Sequence, residues 1–412
     1  MLLVLGYFPS YASATTVNAT SCSQIDVQNA IRTAITGDVV SVPAGNCAWT
    51  SLILQKAVTL QGAGIGNTNI DFGSGAKSFE VIKQSTGVTK IKGFSFSCNN
   101  ANIHPHALVV DGSWLSAEPV VFQNNNFSMN GCAMFDITVA GGVIFSRNSF
   151  TGLWNDFALA LKDTVDTNSW TTADSMGTND ANGKKNIYIE DNTFNGQSNG
   201  VLDCDDNIRV VLRYNTFIES GGYNSHGRDS SPDGCRHFEI YNNSFRYPDP
   251  NTCPSMSSLS NVNQYIWLRG ATGVIFNNSM ENLIGQCWGD KPEIKLSIRG
   301  AEDDRPQGTC AQVSYPVPHQ LGQNNNGIRD FTDPIYFWGN TGSIAMGGGW
   351  GWGNPCGFNW NTFFQWGRDG INPSGAGGNP KPGYTSYTYP HPLISDATLT
   401  DSVPPAVTIS LQ

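Results

Sequence analysis

Charged residues are scarce in this chain. Only 14 % of its 412 residues are Asp, Glu, Lys or Arg, and 23 basic residues against 33 acidic ones give a net charge of −10 and a pI near 5.0. Nucleic-acid binding requires a basic surface, so this composition excludes that function class. An acidic substrate is compatible with such a chain only if local cations, either Arg and Lys side chains or a bound metal ion, offset the overall charge.

Long apolar runs are also absent. No segment beyond residue 14 approaches the ~18 consecutive apolar residues of a membrane-spanning helix, so no membrane span is predicted. One short apolar run, Leu2 to Phe8, precedes Ala12-Ser13-Ala14, which resembles a signal-peptide cleavage site, although no Lys or Arg stands before the run. We therefore predict a signal peptide over residues 1–14 and a secreted, extracellular protein.

The ten cysteines include no C-x-x-C motif, which argues against a zinc site. An even number of cysteines in an exported chain favours disulfides. The arrangement we expect joins neighbours along the sequence: Cys22–Cys47, Cys98–Cys132, Cys204–Cys235, Cys253–Cys287 and Cys310–Cys356.

A short phrase recurs six times: an apolar residue, a skipped position, a second apolar residue, two further positions, and then Asn-x-Phe. The Asn of each copy is Asn125, Asn148, Asn192, Asn215, Asn243 or Asn278, and the last copy has Met280 in place of Phe. The steps between them are 23, 44, 23, 28 and 35 residues, of which we interpret 44 as two steps of 22. Alternating apolar residues indicate half-buried strands, and a period in the low twenties indicates a solenoid. Together they predict an all-β, right-handed parallel β-helix.

A leucine-rich repeat has a similar period, but the Leu framework and the helix of each repeat are missing. The repeated Asn side chains are interpreted as structural, because amides stacked at one corner can bond along the stack. We expect a capping helix over 22–36, the β-helix over 37–345 with one irregular coil at 163–185, and a Trp- and Gly-rich cap and strap over 346–412. A monomer is expected.

The repeat also predicts which residues of neighbouring coils meet. Asp203 and Asp205 lie eleven and thirteen residues after Asn192, and His226 and Arg228 lie at the same offsets after Asn215. Alternation in Val201-Leu202-Asp203-Cys204-Asp205 directs the two carboxylates outward, and adjacent coils are ~4.8 Å apart. We therefore expect Asp203 beside His226 and Asp205 beside Arg228, as the candidate catalytic residues.

Further residues are placed near this cluster by the same reasoning. Candidate substrate-binding residues are Lys162, Arg236, His237 and Arg269, and the candidate metal ligands are Asp203, Asp205 and Asp206. The ion bound there would be Ca²⁺, because carboxylate oxygens are its usual ligands. The structural alternative is that these pairs are ordinary ion pairs on a solvated face.

Two chemistries fit the cluster. In β-elimination, a cation neutralises a uronate carboxylate and Arg, Lys or His removes the adjacent proton, with Arg228 or His226 as the acceptor and Arg269 as a uronate clamp. In inverting hydrolysis, two carboxylates ~6.5–9.5 Å apart act as acid and base, a spacing that Asp203 and Asp205 permit. A non-catalytic glycan-binding or structural module is the third possibility.

The chain resembles the pectin-lyase-like superfamily of right-handed parallel β-helices, and more narrowly the secreted bacterial β-helix-repeat proteins. The likeness is carried by the predicted helix from Asp26 to Ile35, by the segment Gly37 to Gly45 and by coils such as Tyr241 to Phe245. It implies a polysaccharide partner, with a lyase as the leading function. Asp205-Asp206 followed by Ser225-His226-Gly227 is similar to motifs of polygalacturonases, which implies the hydrolase as the alternative.

Overall fold

The computed structural model of this protein describes residues 14–73, 77–103, 106–112, 117–132, 134–153, 158–162, 180–198, 200–227, 234–246, 264–281, 293–298, 315–316, 319–325, 330–342, 344–346 and 359–394. Within them the chain winds into stacked coils, and each regular coil contributes one strand to each of three parallel sheets. The predicted right-handed parallel β-helix is confirmed.

Sheet 1 has twelve strands. In order along the axis they are Thr16–Asn18, Val39–Ser41, Thr59–Gln61, Thr89–Lys92, Val120–Gln123, Val143–Ser146, Ile187–Glu190, Arg209–Arg213, His237–Tyr241, Thr272–Phe276, Ile335–Trp338 and Gly370–Ile371.

Sheet 2 has ten strands and sheet 3 has nine. The strands of sheet 2 are Leu52–Leu54, Phe79–Ile82, Leu108–Gly112, Phe135–Val139, Leu159–Lys162, Leu202–Cys204, Tyr223–Ser225, Ile266–Leu268, Ile294–Leu296 and Ile344–Met346. Those of sheet 3 are Gly45–Ala48, Thr68–Asp71, Ser95–Ile103, Asn126–Cys132, Ser149–Leu153, Thr193–Ser198, Thr216–Ser220, Ser244–Arg246 and Ser279–Met280. A short antiparallel pair, Gln323–Asn325 with Asp330–Thr332, lies outside these sheets.

The repeated Asn residues form a ladder at the corner between sheets 1 and 3. Each Nδ2 donates to the Oδ1 of the next Asn at 2.9–3.2 Å, and each Oδ1 also accepts a backbone N–H. All are buried, so the ladder satisfies corner backbone that water cannot reach. Asn340, which we did not predict, extends it by one rung. The structural interpretation of these residues is therefore correct.

The residue before each ladder Asn adopts the left-handed backbone conformation. The φ angle is between 53° and 58° at Asn124, Arg147, Asp191, Tyr214, Asn242 and Asn277. Asn tolerates this conformation better than most residues, which explains why three of the six positions are Asn. Two positions after the ladder, Phe127, Phe150, Phe194, Phe217 and Phe245 stack inside the barrel with ring centroids 4.6–5.0 Å apart.

The interpretation of the 44-residue step as two coils was wrong. Strand Val143–Ser146 pairs directly with Ile187–Glu190, and Asn148 bonds to Asn192. The step is therefore one coil with an insertion between Lys162 and the next strand, of which residues 163–179 lie outside the described part. An insertion at a corner leaves the stacking intact because only the strands must align.

The N-terminal helix spans Gln24–Thr33, shorter than the predicted 22–36. Ser23 caps it by accepting the N–H of Asp26, and the buried face of the helix, which includes Val27 and Ile31, packs on the first coil.

Three of the predicted disulfides are present: Cys22–Cys47, Cys98–Cys132 and Cys204–Cys235. They indicate an oxidising environment. The other two predicted pairs lie outside the described residues.

The described C-terminal region ends the barrel and then returns along it. A short helix, Trp360–Phe363, ends at buried Phe363 and is followed by buried Phe364. Trp366 packs edge-on against Phe337 and Phe364. Trp350 and Trp352 lie outside the described residues. No helix in the described ranges is long and apolar enough to cross a membrane.

Residues 380–394 lie across the outer face of sheet 1; we call them the strap. Arg213, fully buried, bonds Glu190 at 2.6 Å and donates to the carbonyls of Tyr387 and Thr388. The strap covers the outward apolar residues of sheet 1 and ends in a 3-10 turn at Pro392–Ile394. A buried ion pair is tolerated when further hydrogen bonds complete it, and here the strap supplies them.

Replacing Asn215 tests the ladder. Asn215→Ala removes the three bonds that Asn215 Nδ2 donates and the two that its Oδ1 accepts. The backbone N–H of Asn192 then has no side-chain acceptor in a buried site, where an orphaned group costs ~1–3 kcal/mol. We expect the free energy of unfolding to fall by at least ~3 kcal/mol, measured by denaturant titration. Asn130→Ala is the control, because exposed Asn130 makes a single amide contact with Asn99. Equal losses in both variants would contradict the account of the ladder.

The strap should loosen in acid. Burial lowers the pKa of His391 from 6.5 to about 4, while its Nδ1 accepts from Leu393 and its Nε2 donates to the carbonyl of Asp180. Because the folded-state pKa is depressed, this stabilisation is present above pH 6.5 and is lost as the pH falls towards 4.

His391→Gln should therefore flatten the pH dependence of the free energy of unfolding. We expect the wild type to lose roughly 2–3 kcal/mol more than this variant between pH 7.5 and 4.5. His106→Gln, two residues before the sheet 2 strand Leu108–Gly112, is the control. Parallel pH profiles for the wild type and His391→Gln would show that the strap histidine does not titrate in this range.

Candidate functional site

Sheet 2 carries two outward rows of side chains near its middle. The first row follows the paired positions Glu80, Val109, Asp136, Ala160, Asp203, Asn224, Trp267 and Lys295. The second row lies two residues further along each strand and contains Asp111, Thr138, Lys162, Asp205, His226, Arg269 and Ser297. Parallel strands place neighbours in one row ~4.8 Å apart, so residues distant in sequence become one surface.

The register at the centre differs from the prediction by two residues. Asp203 pairs with Asn224 and not with His226, which places His226 in the second row beside Asp205. The pairing of Thr193–Ser198 with Thr216–Ser220 skips one residue of the earlier strand after Asn195, and the connection that follows is one residue shorter in the later coil. The later coil therefore reaches sheet 2 two residues sooner than equal offsets predict. The assumption of a constant offset from the ladder Asn was wrong here.

The predicted contact between Asp203 and His226 is nevertheless present. The His226 side chain reaches diagonally between the rows, and its Nε2 lies 2.7 Å from Asp203 Oδ1. The two side chains are 12 % and 14 % exposed, so the pair is shielded but open to a ligand on this face. Asn224 Nδ2 donates to the same carboxylate oxygen at 3.2 Å. The pair is thus held by neighbours on two adjacent strands.

Arg269 contacts the same imidazole nitrogen from the other side. Its Nη2 lies within hydrogen-bond distance of His226 Nε2, and its Nε donates to the Ser225 carbonyl at 3.1 Å. A guanidinium can only donate, whereas a carboxylate can only accept. His226 Nε2 therefore has a partner whether or not it carries a proton: Asp203 when protonated and Arg269 when not.

A tryptophan holds two cations beside the pair. The guanidinium carbon of Arg269 lies 4.7 Å from the Trp267 ring centroid, and Lys295 Nζ lies 4.3 Å from it. The indole Nε1 donates to Ser297 Oγ at 2.9 Å, which fixes the ring on the sheet. Cation–π contacts restrict where both charges lie, so this end of the rows is a preorganised positive surface.

Asn224, Trp267 and Lys295 were not among the predicted site residues. Each occupies the outward central position of a three-residue sheet 2 strand, the same signal that identified Asp203.

Beneath Asp203, burial and secondarily the charge of this carboxylate raise the pKa of Tyr223 well above its usual value. Tyr223 is therefore an uncharged core residue and does not act as a general acid in the site.

Asp205 does not form an exposed carboxylate pair with Asp203. Asp205 is only 4 % exposed and accepts the backbone N–H of Asp206, so the prediction that it faces solvent was wrong. Among the described residues, no group of three or more His, Cys, Asp or Glu side chains is placed to hold a metal ion. Asp203, Asp205 and Asp206 thus do not form the predicted calcium site by themselves.

The remaining predicted residues divide into three groups. Lys162 is exposed in the second row, next to Asp205. Arg236 and His237 are 0 % and 1 % exposed, and His237 Nδ1 donates to the Thr272 carbonyl within sheet 1, so neither presents a surface to a polysaccharide as predicted. Arg228 lies outside the described residues.

No family model matches this sequence, and no curated protein matches it. Among solved structures, the chain is similar to AlyGC, an alginate lyase of polysaccharide lyase family 6, in an arginine-to-alanine mutant. The two are 13 % identical with a TM-score of 0.37, and the match covers 80 % of this chain and 49 % of that one. This chain therefore spans about half the length of that lyase. At this TM-score the likeness carries no argument about activity.

Proposed function

We propose that this protein is a secreted carbohydrate-active enzyme that cleaves an acidic, uronate-containing polysaccharide by β-elimination on the outer face of sheet 2. The observation that carries the proposal is the contact of His226 Nε2 with both Asp203 and Arg269. A histidine oriented by a carboxylate, with a fixed guanidinium beside it, is what proton abstraction next to a uronate carboxylate needs. Disulfides and the predicted signal peptide support secretion.

His226 is the proton acceptor in this proposal. Asp203 holds Nε2–H and so directs Nδ1 towards the substrate, and it stabilises the imidazolium that forms when Nδ1 takes the proton. Asn224 keeps Asp203 in place through its 3.2 Å hydrogen bond. Arg228, the other acceptor predicted from the sequence, keeps that role as a hypothesis.

Arg269 neutralises the uronate carboxylate next to the proton that is removed. A fixed guanidinium there acidifies the C–H bond and stabilises the charge that develops, as preorganised donors do. Lys295 and Lys162 extend the positive surface along and across the rows. Because the chain has a net charge of −10, it needs such a local cluster of cations to bind an acidic polymer.

The hydrolase alternative requires two carboxylates that can act on water and on the leaving group. Asp205 is buried, and Asp203 is engaged by His226 and Asn224. These contacts favour an orienting role for Asp203 and support the lyase over the hydrolase. A glycan-binding module would need the cations and Trp267 but not the paired His226.

Replacing His226 tests catalysis directly. We expect His226→Ala to lower kcat on a cleaved uronate polymer by ~10²–10⁴-fold, because general-base catalysis contributes about that factor. Formation of unsaturated products on polygalacturonate, alginate and glycosaminoglycans is followed by their ultraviolet absorbance. Glu80→Gln, on the same outer face but four strands from Asp203, is the matched control.

The possible outcomes separate the three functions. Unsaturated products from the wild type and their loss in His226→Ala support the lyase. New reducing ends without unsaturation would show a hydrolase, and binding without any cleavage would show a module. Unchanged turnover in His226→Ala would remove this residue from the mechanism.

Calcium is a separate prediction of the sequence, and the described carboxylates do not fit it as a set. Because Arg269 supplies the neutralising charge here, we expect turnover to persist at more than about half its rate in excess chelator. Activity that is lost in chelator and restored by added Ca²⁺ would contradict the role given to Arg269.

A further inference from the structure

The outer face of sheet 3 carries a second, different array of side chains. One outward column contains the first residue after each ladder Asn from Asn125 to Asn278, together with the paired residues of the three preceding strands. Every member of this column is a small neutral amide or hydroxyl. Along nine strands the column reads Asn46, Asn69, Ser95, Asn126, Ser149, Thr193, Thr216, Ser244 and Ser279. Its register is unbroken over these pairs. None of the nine is among the residues that we assign to the proposed active site.

A second column runs beside it, two residues further along each strand. Its central members are small and polar: Ser97, Ser128, Thr151 and Asn195. Apolar Ile218 follows Asn195, and the charged members are Asp71 and Arg246, towards the two ends. Strand geometry separates the two columns by ~6.5–7 Å, and successive strands by ~4.8 Å. All the residues of both columns from Ser95 to Thr216 are half-buried or exposed.

Seven of these side chains form what we call the polar grid: Asn126, Ser128, Ser149, Thr151, Thr193, Asn195 and Thr216. Within the described part of the chain, none of them makes a side-chain hydrogen bond to protein. Their donors and acceptors therefore face outward at a constant spacing on four successive strands. The stacked Phe residues and the Asn ladder directly behind them keep this spacing rigid.

We propose that the polar grid binds an extended, neutral polysaccharide that lies along the solenoid axis. A rung spacing of ~4.8 Å is close to the length of one sugar unit, so successive units can meet successive strands in the same way. The grid has no charge to select a uronate and no aromatic ring to stack on a single sugar. Each hydroxyl contact is weak, and affinity comes from repeating it on a rigid surface.

This site is independent of the proposed active site, because it lies on another sheet and would hold a polymer of different charge. It would attach the protein to a neutral polysaccharide that occurs together with the acidic polymer cleaved at sheet 2. Binding should become tighter as the ligand becomes longer. A tetrasaccharide spans only the four strands of the grid, whereas a polymer also contacts Ser95, Ser244 and Ser279 on neighbouring strands.

Binding to soluble mixed-linkage β-glucan and xylan is measured by affinity electrophoresis, and binding to insoluble cellulose is measured by sedimentation. Cellotetraose is the short ligand, and polygalacturonate is the acidic comparison. Ser149→Lys/Thr193→Lys places two long side chains in the grid and should weaken polymer binding by at least about tenfold. Gln61→Lys, exposed on sheet 1, and His226→Ala should bind like the wild type. Circular dichroism checks that each variant is folded.

Ser149→Ala/Thr193→Ala is a second, smaller change that should weaken polymer binding to a lesser extent. The proposal is overturned if both double variants bind as the wild type does, if His226→Ala abolishes binding, or if cellotetraose binds as tightly as the polymer. It is also overturned if the wild type binds none of the neutral polymers, including the case in which it adsorbs instead to ice, another regular hydroxyl-rich surface. Failure of the lyase assay leaves these outcomes unaffected.

Discussion

Hydrogen bonds between successive coils hold every functional side chain of this protein in place. The backbone ladders of the three sheets set the ~4.8 Å spacing, and the Asn ladder from Asn125 to Asn340 fixes the corner from which each sheet 3 strand starts. Because a corner amide bonds both to the next amide and to backbone, a shift of one coil against its neighbour would break several buried bonds together. Long insertions are accepted at other corners because they leave this alignment unchanged.

The outer faces of the three sheets have different chemistry on one scaffold. Sheet 1 is apolar and is covered by the strap, which completes the hydrogen bonding of the buried Glu190–Arg213 pair. Sheet 2 carries a cluster of charged side chains, with His226 in contact with both Asp203 and Arg269. The central strands of sheet 3 carry mostly small, polar and neutral side chains, with Asp71 and Arg246 towards the two ends. A solenoid allows this division because outward residues of neighbouring coils form columns whatever lies between them in sequence.

The sequence was sufficient to predict the fold, the structural role of the Asn repeats, three disulfides and the Asp203–His226 contact. Short-range periodicity carried each of these, because alternation and the position of the corner Asn are local properties. The prediction failed where it assumed equal lengths. The 44-residue step is one coil with an insertion, and the irregular pairing after Asn195 moved Asn224 into the place expected for His226. Burial of Asp205, Arg236 and His237 depends on what packs over them, which alternation along one strand does not report.

The central claim is that a uronate polymer binds along sheet 2 with its reactive sugar at His226. A crystal structure of His226→Ala with a bound uronate hexasaccharide tests this claim most directly. The account predicts sugar density parallel to the solenoid axis over Asn224 and Trp267, with one carboxylate on Arg269 and the adjacent sugar carbon facing the vacated imidazole position. An oligosaccharide bound on another sheet, or over sheet 2 with its carboxylates turned away from Arg269, would contradict it.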